Sequence, residues 1–380
     1  MNSPLVKEYH NESQMNLVDS LRIRAGYKPQ VTGVSTNSYA PVMGGWGYDY
    51  AITNGYNFGQ LISVSKTIVS KENLHNQFNA LHIQNLSLNV SGKITEQDLK
   101  KTITAQYITA YGTWQQLNFN KELLDLLKKE ETILKTLTSN GVYRQTDYLT
   151  FLVILQQQEL QISQLHLQLQ NEYATLNYLS GLNDTSFSSL AKPSLEVAAL
   201  PDIENTVFYQ QFKLDSLKLK NNDAQIDFSY KPKLNLYANG GYLSSFAYKS
   251  YKNFGTSFGV DITVPIYDGR QKKMQHDKIA IQEQTRQNYQ QYFAKQYDQQ
   301  IAQLFQQLES TQQIIDLTAS QLKYSERLME VNKKLLETGD VKIADYIIAI
   351  GNYLNIKNTI TENTINKLQI INQINYWNLK

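Results

Sequence analysis

Apolar residues recur every seven positions along the last third of the chain. They are Ile301, Leu308, Ile315, Leu322, Met329 and Leu336. A sustained seven-residue period predicts a long helix that supercoils left-handedly against its neighbours. The companion positions are small or polar instead, namely Thr311, Thr318, Ser325 and Asn332. A dimeric leucine zipper would place apolar residues there, so the pattern favours helices packed side by side, as in a wall.

Two very long stretches of the chain lack proline. None occurs between residues 42 and 192, and none occurs after residue 265. Proline is the strongest helix breaker, and both stretches are rich in residues that favour helix. They predict helices of about 65–70 residues, which would extend roughly 100 Å at 1.5 Å per residue. Helices of that length indicate a coiled coil or a tunnel.

A two-residue period predicts β-strands. Between Ser257 and Tyr267, the apolar residues Phe258, Val260, Ile262, Val264 and Ile266 alternate with small or polar ones. This alternation is typical of a strand with one apolar face. We predict strands at about 30–40, 57–66, 233–244 and 255–267, joined in pairs by loops rich in Gly, Tyr and Asn. Taken alone, such a strand is ordinarily half-buried in a soluble sheet, and a heptad helix is ordinarily a structural coiled coil.

Short motifs occur twice in the same order. Tyr27-Lys28-Pro29 returns as Tyr230-Lys231-Pro232, and Phe58-Gly59 returns as Phe258-Gly259. Gly141, followed by Asp147-Tyr148, returns as Gly339, followed by Asp345-Tyr346. The nearly constant offset predicts a tandem repeat of a β-hairpin and a long α-helical hairpin. We divide the chain into an N-terminal segment 1–26, a first repeat 27–181, a linker 182–229 and a second repeat 230–380. The long helices of the first repeat extend to residue 181, and those of the second repeat span 270–338 and 342–378.

Composition narrows the function classes. The formal net charge is +2, which gives no strong field for nucleic acid, and the absence of cysteine excludes disulfides, thiolate metal sites and thiol catalysis. Five scattered histidines and the lack of a phosphate loop, a zinc-protease motif or paired carboxylates predict no catalytic, metal or cofactor site. Tyrosine, with 26 residues, is abundant, as is common at membrane–water interfaces.

Two segments resemble a known family. Phe258-Gly-Val-Asp-Ile-Thr-Val-Pro-Ile-Tyr-Asp-Gly-Arg270 resembles the strand-to-helix junction of TolC-type outer-membrane efflux proteins. Leu335-Leu-Glu-Thr-Gly339-Asp-Val-Lys-Ile-Ala-Asp345-Tyr346 resembles their second periplasmic hairpin turn. The resemblance implies an α+β membrane protein that forms a homotrimer with a twelve-stranded β-barrel and a coiled-coil α-barrel. Four strands from one chain cannot close a barrel, whereas twelve from three chains can.

The resemblance also implies a function and a location. Members of the family are passive exit ducts of tripartite efflux pumps or type I secretion systems, and they dock a periplasmic adaptor and an inner-membrane transporter. The implied location is the outer membrane of a Gram-negative bacterium, with the helical tunnel in the periplasm and residues 182–229 in an equatorial belt. That location requires a signal peptide, and because residues 1–4 lack an apolar core we infer that it was removed.

Six residues near the two helical turns are candidate functional positions. Asp345 lies at the aperture position of the family, where three copies would form a carboxylate ring that favours cations. It is equally explained as a helix-start carboxylate that complements the helix dipole. Asp147 is its first-repeat counterpart, and Arg144 or Lys342 could pair with it to hold the tip closed, or it could simply be solvated. Gly141 and Gly339 should end helices with positive φ, in turns that face the adaptor in the family.

The chain departs from the family at the positions that hold its archetype closed. Ile348 stands where the family often has an acid, and Leu336 and Val341 stand where it has a tyrosine and an arginine. A soluble or periplasmic coiled-coil scaffold or adaptor is the alternative reading. Adaptors carry a helical hairpin only once, so the tandem repeat argues against this alternative.

Overall fold

The computed structural model describes residues 4–49, 55–183, 189–246 and 249–379. The same order of elements, helix, two strands and two long helices, occurs twice. The first half contains α1 (Pro4–Gly26), β1 (Gln30–Ala40), β2 (Gly55–Ile68), α2 (Lys71–Ser139) and α3 (Gln145–Ser180). The second half contains α4 (Val207–Ser229), β3 (Lys233–Ser244), β4 (Phe254–Thr263), α5 (Gln271–Thr338) and α6 (Ile343–Tyr376). Short 3₁₀ turns at Ile203–Asn205 and Ser250–Lys252 precede α4 and β4.

Each half opens with a helix that the sequence patterns did not predict. Helix α1 occupies the N-terminal segment 1–26, and α4 occupies the second half of the linker 182–229. Both are 23 residues long, and both end just before the repeated Tyr-Lys-Pro motif. The repeated motif therefore marks the exit from an equivalent helix in both halves, where proline prevents the helix from continuing.

The chain forms two compact units that cut across the two halves. The sheet unit comprises Glu8–Ser91 and Gln211–Gln290. The helical unit comprises Met1–Lys7, Gly92–Gln210 and Gln291–Lys380. None of the helices in the described ranges combines the length and the apolar character needed for a membrane span.

The sheet unit contains one antiparallel sheet in the order β1-β2-β3-β4. Directly opposed residues share a face, so the register sorts the side chains into two rows. One face is apolar and largely exposed, and it carries Val31, Ile62, Val64, Leu236, Phe258, Val260 and Ile262. The opposite face is polar, and it carries Thr32, Ser63, Asn235, Asn239, Ser257 and Asp261.

Strands β2 and β4 differ from the predicted bounds at both ends, and they begin at Gly55 and Phe254 rather than at 57 and 255. Strand β2 reaches Ile68, beyond the predicted 66, because β3 continues to pair with it as far as Leu234. Strand β4 ends at Thr263 rather than at 267. Its last partner is Lys233, the first residue of β3, so the following residues have no opposing strand within the described chain. Alternation in sequence can mark residues that favour a strand, but it does not supply the partner that completes one.

The heptad pattern of α5 marks two buried rows. The small companion positions are the more deeply buried ones, with Thr318 8% and Ser325 7% exposed. Thr318 satisfies its hydroxyl by donating to the Ile314 carbonyl at 2.6 Å. The predicted row from Ile301 to Met329 is half-buried. Small side chains let other helices approach α5 closely, as expected for side-by-side packing.

Aromatic rings hold the C-terminal end of the chain in the helical unit. The Trp377 ring centroid lies 5.0 Å from that of Phe208, 5.3 Å from that of Tyr297 and 5.2 Å from that of Tyr376. The backbone N–H of Val207 donates to the Leu379 carbonyl at 3.0 Å. The end of α6 is therefore fastened to the start of α4.

A charged cluster joins α4 to α5 in the sheet unit. His276 Nδ1 lies 2.6 Å from Asp223 Oδ1, and His276 Nε2 lies 3.4 Å from Asp227 Oδ1. Lys272 Nζ lies 2.8 Å from the same Asp227 oxygen. The hydrogen bond to Asp223, reinforced by both carboxylate charges, raises the pKa of His276. The hydrogen bond from Lys272 lowers the pKa of Asp227.

We predict that this cluster makes stability fall as the pH rises through the neutral range. A histidine whose pKa is higher in the folded state stabilises that state fully below its unfolded pKa of about 6.5, and the contribution disappears as the pH rises through the folded pKa. His276→Gln should flatten this slope in thermal unfolding followed between about pH 5.5 and 8.5. His75→Gln, which changes an exposed histidine of α2, should keep the wild-type slope. An unaltered slope in His276→Gln would contradict the prediction.

Candidate functional site at the helical tips

Two helical turns form the candidate site, one between α2 and α3 and one between α5 and α6. We call them the tip turns. Gly141 has φ +80° and Gly339 has φ +83°, so both adopt the positive φ expected from the sequence. In the first turn the Val142 N–H donates to the Leu137 carbonyl at 2.9 Å, and in the second the Asp340 N–H donates to the Leu335 carbonyl at 2.9 Å. These bonds satisfy carbonyls that the helix ends would otherwise leave free.

The two tip turns pack against each other within the helical unit. The Tyr143 hydroxyl lies 3.0 Å from the Leu336 carbonyl and 2.9 Å from the Val341 carbonyl, so it can donate to either. Burial raises the pKa of Tyr143, and the charges of Asp340 and Asp147 raise it further, so the phenol remains a donor. A Cβ at Gly339 would lie 2.7 Å from Val142 Cγ1. The second glycine is therefore needed for close approach as well as for its φ.

A buried core supports the tip turns from below. Its members come from α2, α3, α5 and α6, and they are Leu123, Leu127, Leu134, Phe151, Leu336, Ile343, Tyr346 and Ile350. All four helices contribute to this core. A shift of any one helix at its tip turn is therefore opposed by its packing against the other three.

The predicted acidic residues occupy equivalent places at the two helix starts. Asp147 lies in the first turn of α3 and Asp345 lies in the first turn of α6. Arg144 and Lys342 are the residues that precede these helices, and both have extended backbone. A carboxylate in the first turn complements the helix dipole. Asp345 is exposed, and its place at an aperture stays a prediction.

The predicted ion pairs are not formed within this chain. Residues 139–147 and 338–348 all lie in the described ranges, and there neither Asp147 nor Asp345 makes an ion pair with Arg144 or Lys342. The contact that does join the two tip turns is made by Tyr143. Pairing between copies of the chain stays a prediction, as does adaptor docking at Gly141 and Gly339.

A buried ion pair lies next to this core, and sequence reasoning missed it. Glu130 of α2 is 1% exposed, and its Oε1 lies 2.9 Å from Lys333 Nζ of α5. No hydrogen bond of good geometry reaches either Glu130 oxygen from the described residues, so the contact is an ion pair. In the sequence, Glu130 belongs to the run Lys-Lys-Glu-Glu, which resembles a solvated face. The sequence did contain a signal for burial, because Glu130 shares one helix face with Leu123, Leu127 and Leu134.

A tyrosine hydroxyl is buried close to Glu130. Tyr346 of α6 is fully buried, and its hydroxyl has no hydrogen-bond partner within the described ranges. Burial raises the pKa of Tyr346, and the charges of Glu130 and Glu337 add to the effect. The phenol therefore remains neutral. No group of three His, Asp or Glu side chains in the described part of the chain is arranged to hold a metal ion.

We predict that Lys333→Met destabilises the chain by about 3 kcal/mol, because it leaves Glu130 buried without a counter-charge. The double variant Glu130→Met/Lys333→Met should regain most of that loss, since it removes both charges. Lys128→Met provides a matched control, because its ion pair with Glu159 at 3.1 Å is exposed and should contribute less than about 1 kcal/mol. Unfolding midpoints in denaturant provide the measurement. Equal losses for Lys333→Met and Lys128→Met would contradict the assignment.

Comparisons with known proteins bear on the fold. No protein-family model and no curated protein matches the sequence. Solved structures do match it over nearly its whole length. A membrane protein from Pseudomonas aeruginosa is 13% identical, with 99% of this chain and 89% of that chain covered and a TM-score of 0.78. The CmeC outer membrane channel of Campylobacter jejuni is 14% identical, with 99% and 83% covered and a TM-score of 0.77.

A third solved structure agrees with these two. The outer membrane protein VceC of Vibrio cholerae is 12% identical, with 99% of this chain and 93% of that chain covered and a TM-score of 0.76. At such identities the similarity concerns the fold. The tandem order of strands and long helices predicted from the sequence is part of that shared fold, and the chain therefore has the fold of the TolC-type outer-membrane channels.

Proposed function

We propose that three copies of this chain form a passive exit duct in the outer membrane of a Gram-negative bacterium. The hairpins supply a twelve-stranded barrel, and the long helices form a coiled-coil tunnel in the periplasm. The duct serves a tripartite efflux pump or a type I secretion system. A periplasmic adaptor docks at the tip turns and connects the duct to an inner-membrane transporter, and residues 182–229 contribute to an equatorial belt. The chain itself performs no catalysis.

The two-faced sheet is the observation that carries this proposal. Phe258 is 90% exposed and Ile262 is 67% exposed, although both lie on the apolar face. A soluble sheet would cover such a row of side chains, whereas lipid can solvate it. The opposite face is polar, with amides and hydroxyls beside the charged side chains of Lys233 and Asp261, which suits a water-filled lumen.

Aromatic side chains mark one limit of the apolar row. At the hairpin-loop end of that face, ring centroids lie 4.7 Å apart for Tyr39 and Tyr56 and 5.9 Å apart for Phe58 and Tyr242. Aromatic girdles of this kind lie at the membrane interfaces of outer-membrane barrels. Lys66 is on the same face near the helix end, one pair before Ile68 and Leu234, and its stem can reach toward the headgroups.

The distance between these two limits fits an outer membrane. From Phe58 to Lys66, the strand extends about 26 Å at about 3.3 Å per residue. A tilt of about 40° reduces this to about 20 Å along the membrane normal, close to the apolar band of about 25 Å in such barrels. The aromatic residues and Lys66 are therefore separated by roughly the height of such an apolar band.

Electron microscopy of the detergent-extracted protein tests the proposal directly. We expect a three-fold cylinder about 130–140 Å long with a micelle around one end only, since the length combines roughly 100 Å of helix with a tilted barrel. A rod or dimer that stays in solution without detergent would contradict the duct and support the soluble scaffold.

We predict that Asp345→Ala weakens cation preference in channels reconstituted into planar bilayers. Three carboxylates around a narrow aperture attract cations by direct electrostatics, and the variant removes them. The reversal potential in a salt gradient should shift toward that of a non-selective pore. Asp19→Ala in α1 makes the same change in net charge outside the tip turns and should leave the reversal potential unchanged. Wild-type reversal potentials in Asp345→Ala would show that Asp345 is only a helix-start carboxylate.

A further inference from the structure

The repeated Phe-Gly motif divides its two residues between the faces of the sheet. Phe58 and Phe258 lie on the apolar face, whereas Gly59 and Gly259 lie on the polar face, because successive residues of a strand point to opposite sides. Neither glycine has a positive φ, so their backbone conformation does not require glycine. A glycine inside a strand often marks a place where another group approaches closely, and both of these glycines lie at such a place.

Gly259 receives the ring of Tyr237, the residue directly opposite on β3. A Cβ at Gly259 would lie 2.5 Å from Tyr237 Cζ and 2.8 Å from Tyr237 Cε1, and closer still to the phenol oxygen. Cβ atoms essentially never come so near to another heavy atom, so the ring can occupy this place only over a glycine. The Tyr237 ring therefore leans sideways across β4 instead of standing upright from the polar face.

Gly59 receives a second side chain of β3 in the same way. It lies opposite Leu243, and a Cβ at Gly59 would lie 3.2 Å from Leu243 Cδ1. Leu243 thus leans over β2 and Tyr237 leans over β4, on the two sides of the strand that carries them. Both glycines of the repeated motif make room for a bulky side chain of β3.

The polar face is otherwise built mainly from small side chains. Most of its residues are Gly, Ser, Thr or Asn, and Tyr237 is the only aromatic residue on this face of the described strands. Tyr237 therefore has the largest rigid side chain in front of this face. The direction of its ring decides how far the wall extends into the space before it.

We propose that Gly59 and Gly259 set the bore of the duct by holding bulky side chains along its wall, and that Tyr237 is the residue that limits this bore. The inference rests on the proposed function and deepens it, because it names what limits the size of cargo in the lumen.

The number of strands makes the direction of one ring important. The interior of a barrel of about 8 strands is filled by its side chains, whereas about 16 strands leave an aqueous channel. A twelve-stranded barrel lies between these cases, so the size and direction of its inward side chains determine what can pass. With the Tyr237 ring along the wall, the lumen stays open to bulky cargo. Three upright copies of the ring would narrow it at one level.

The absence of native cysteine allows the bore to be measured by labelling. Ser257 and Thr263 are exposed on the polar face of β4, on the loop side and on the helix side of Gly259. Maleimides that carry polyethylene glycol of graded size, added outside intact Gram-negative cells, must pass the level of Tyr237 to reach Thr263→Cys but not to reach Ser257→Cys. The largest reagent that labels Thr263→Cys reports the bore at that level, whatever the state of the tip turns.

We predict that Gly259→Ala lowers this size limit, because the added Cβ displaces the Tyr237 ring from the wall into the lumen. Gly259→Ala/Tyr237→Ala should restore the limit, since no ring remains to be displaced. Gly255→Ala is the matched control, because it lies on the same strand and face and a Cβ there meets nothing within 4 Å. Tyr237→Ala alone should keep the wild-type limit, and the labelling of Ser257→Cys should be the same in every background.

The possible outcomes separate this inference from the proposed function. An unchanged limit in Gly259→Ala, a limit that stays low in the double variant, or a clearly wider limit in Tyr237→Ala overturns the inference and leaves the duct intact. The last of these would show that the ring already stands in the lumen of the wild-type protein. Cysteines that react in detergent but with no reagent added outside the cells would overturn the proposed function as well.

Discussion

Backbone pairing between β2 and β3 is the contact on which the rest of the sheet unit depends. It joins the two halves of the chain into one sheet, with a register that runs from Phe58 opposite Ser244 to Ile68 opposite Leu234. That register sets which side chains share a face, because a slip of one residue would exchange the apolar and polar rows. It also places the start of α2 beside the end of α4. There Asn76 Nδ2 donates to Gln225 Oε1 at 2.8 Å. The two-faced character of the sheet is thus a consequence of one strand pairing.

The helical unit is organised by size and charge rather than by a continuous apolar seam. Thr318 and Ser325 occupy buried α5 positions, where larger side chains would hold the helices apart. Near the tip turns, the buried contact between Glu130 and Lys333 joins α2 to α5, and Tyr143 joins the two turns themselves. A buried ion pair adds little net stability but strongly penalises arrangements that separate its partners. Polar contacts therefore add to the apolar core in holding the four helices together at the tip.

Sequence reasoning predicted those elements whose signal is carried along the chain itself. The seven-residue period and the missing prolines predicted long helices, and alternation placed strands near residues 30–40 and 233–244. It missed α1 and α4, in which polar residues interrupt any simple apolar stripe. It also placed the end of β4 at 267, because alternation continues past the last residue that β3 can pair. Glu130 was overlooked because charge alone suggests solvent, whereas its heptad position places it inside.

The end of β4, the exposed Val18 of α1 and the exposed row of α3 formed by Val153, Leu160 and Leu167 express one constraint. By the offsets of the repeat, Val18 is equivalent to Asn221 and Leu167 is equivalent to Ile365. Asn221 and Ile365 both pack on α2, whereas Val18 and Leu167 are exposed. An arrangement in which each half covers the next is head-to-tail, so it either closes into a ring or continues as a filament. In the proposed outer-membrane duct, lipid permits no open sheet edge, which favours the closed form. In the proposed ring, the contact between chains is therefore equivalent to the contact that β2 and β3 make inside each chain.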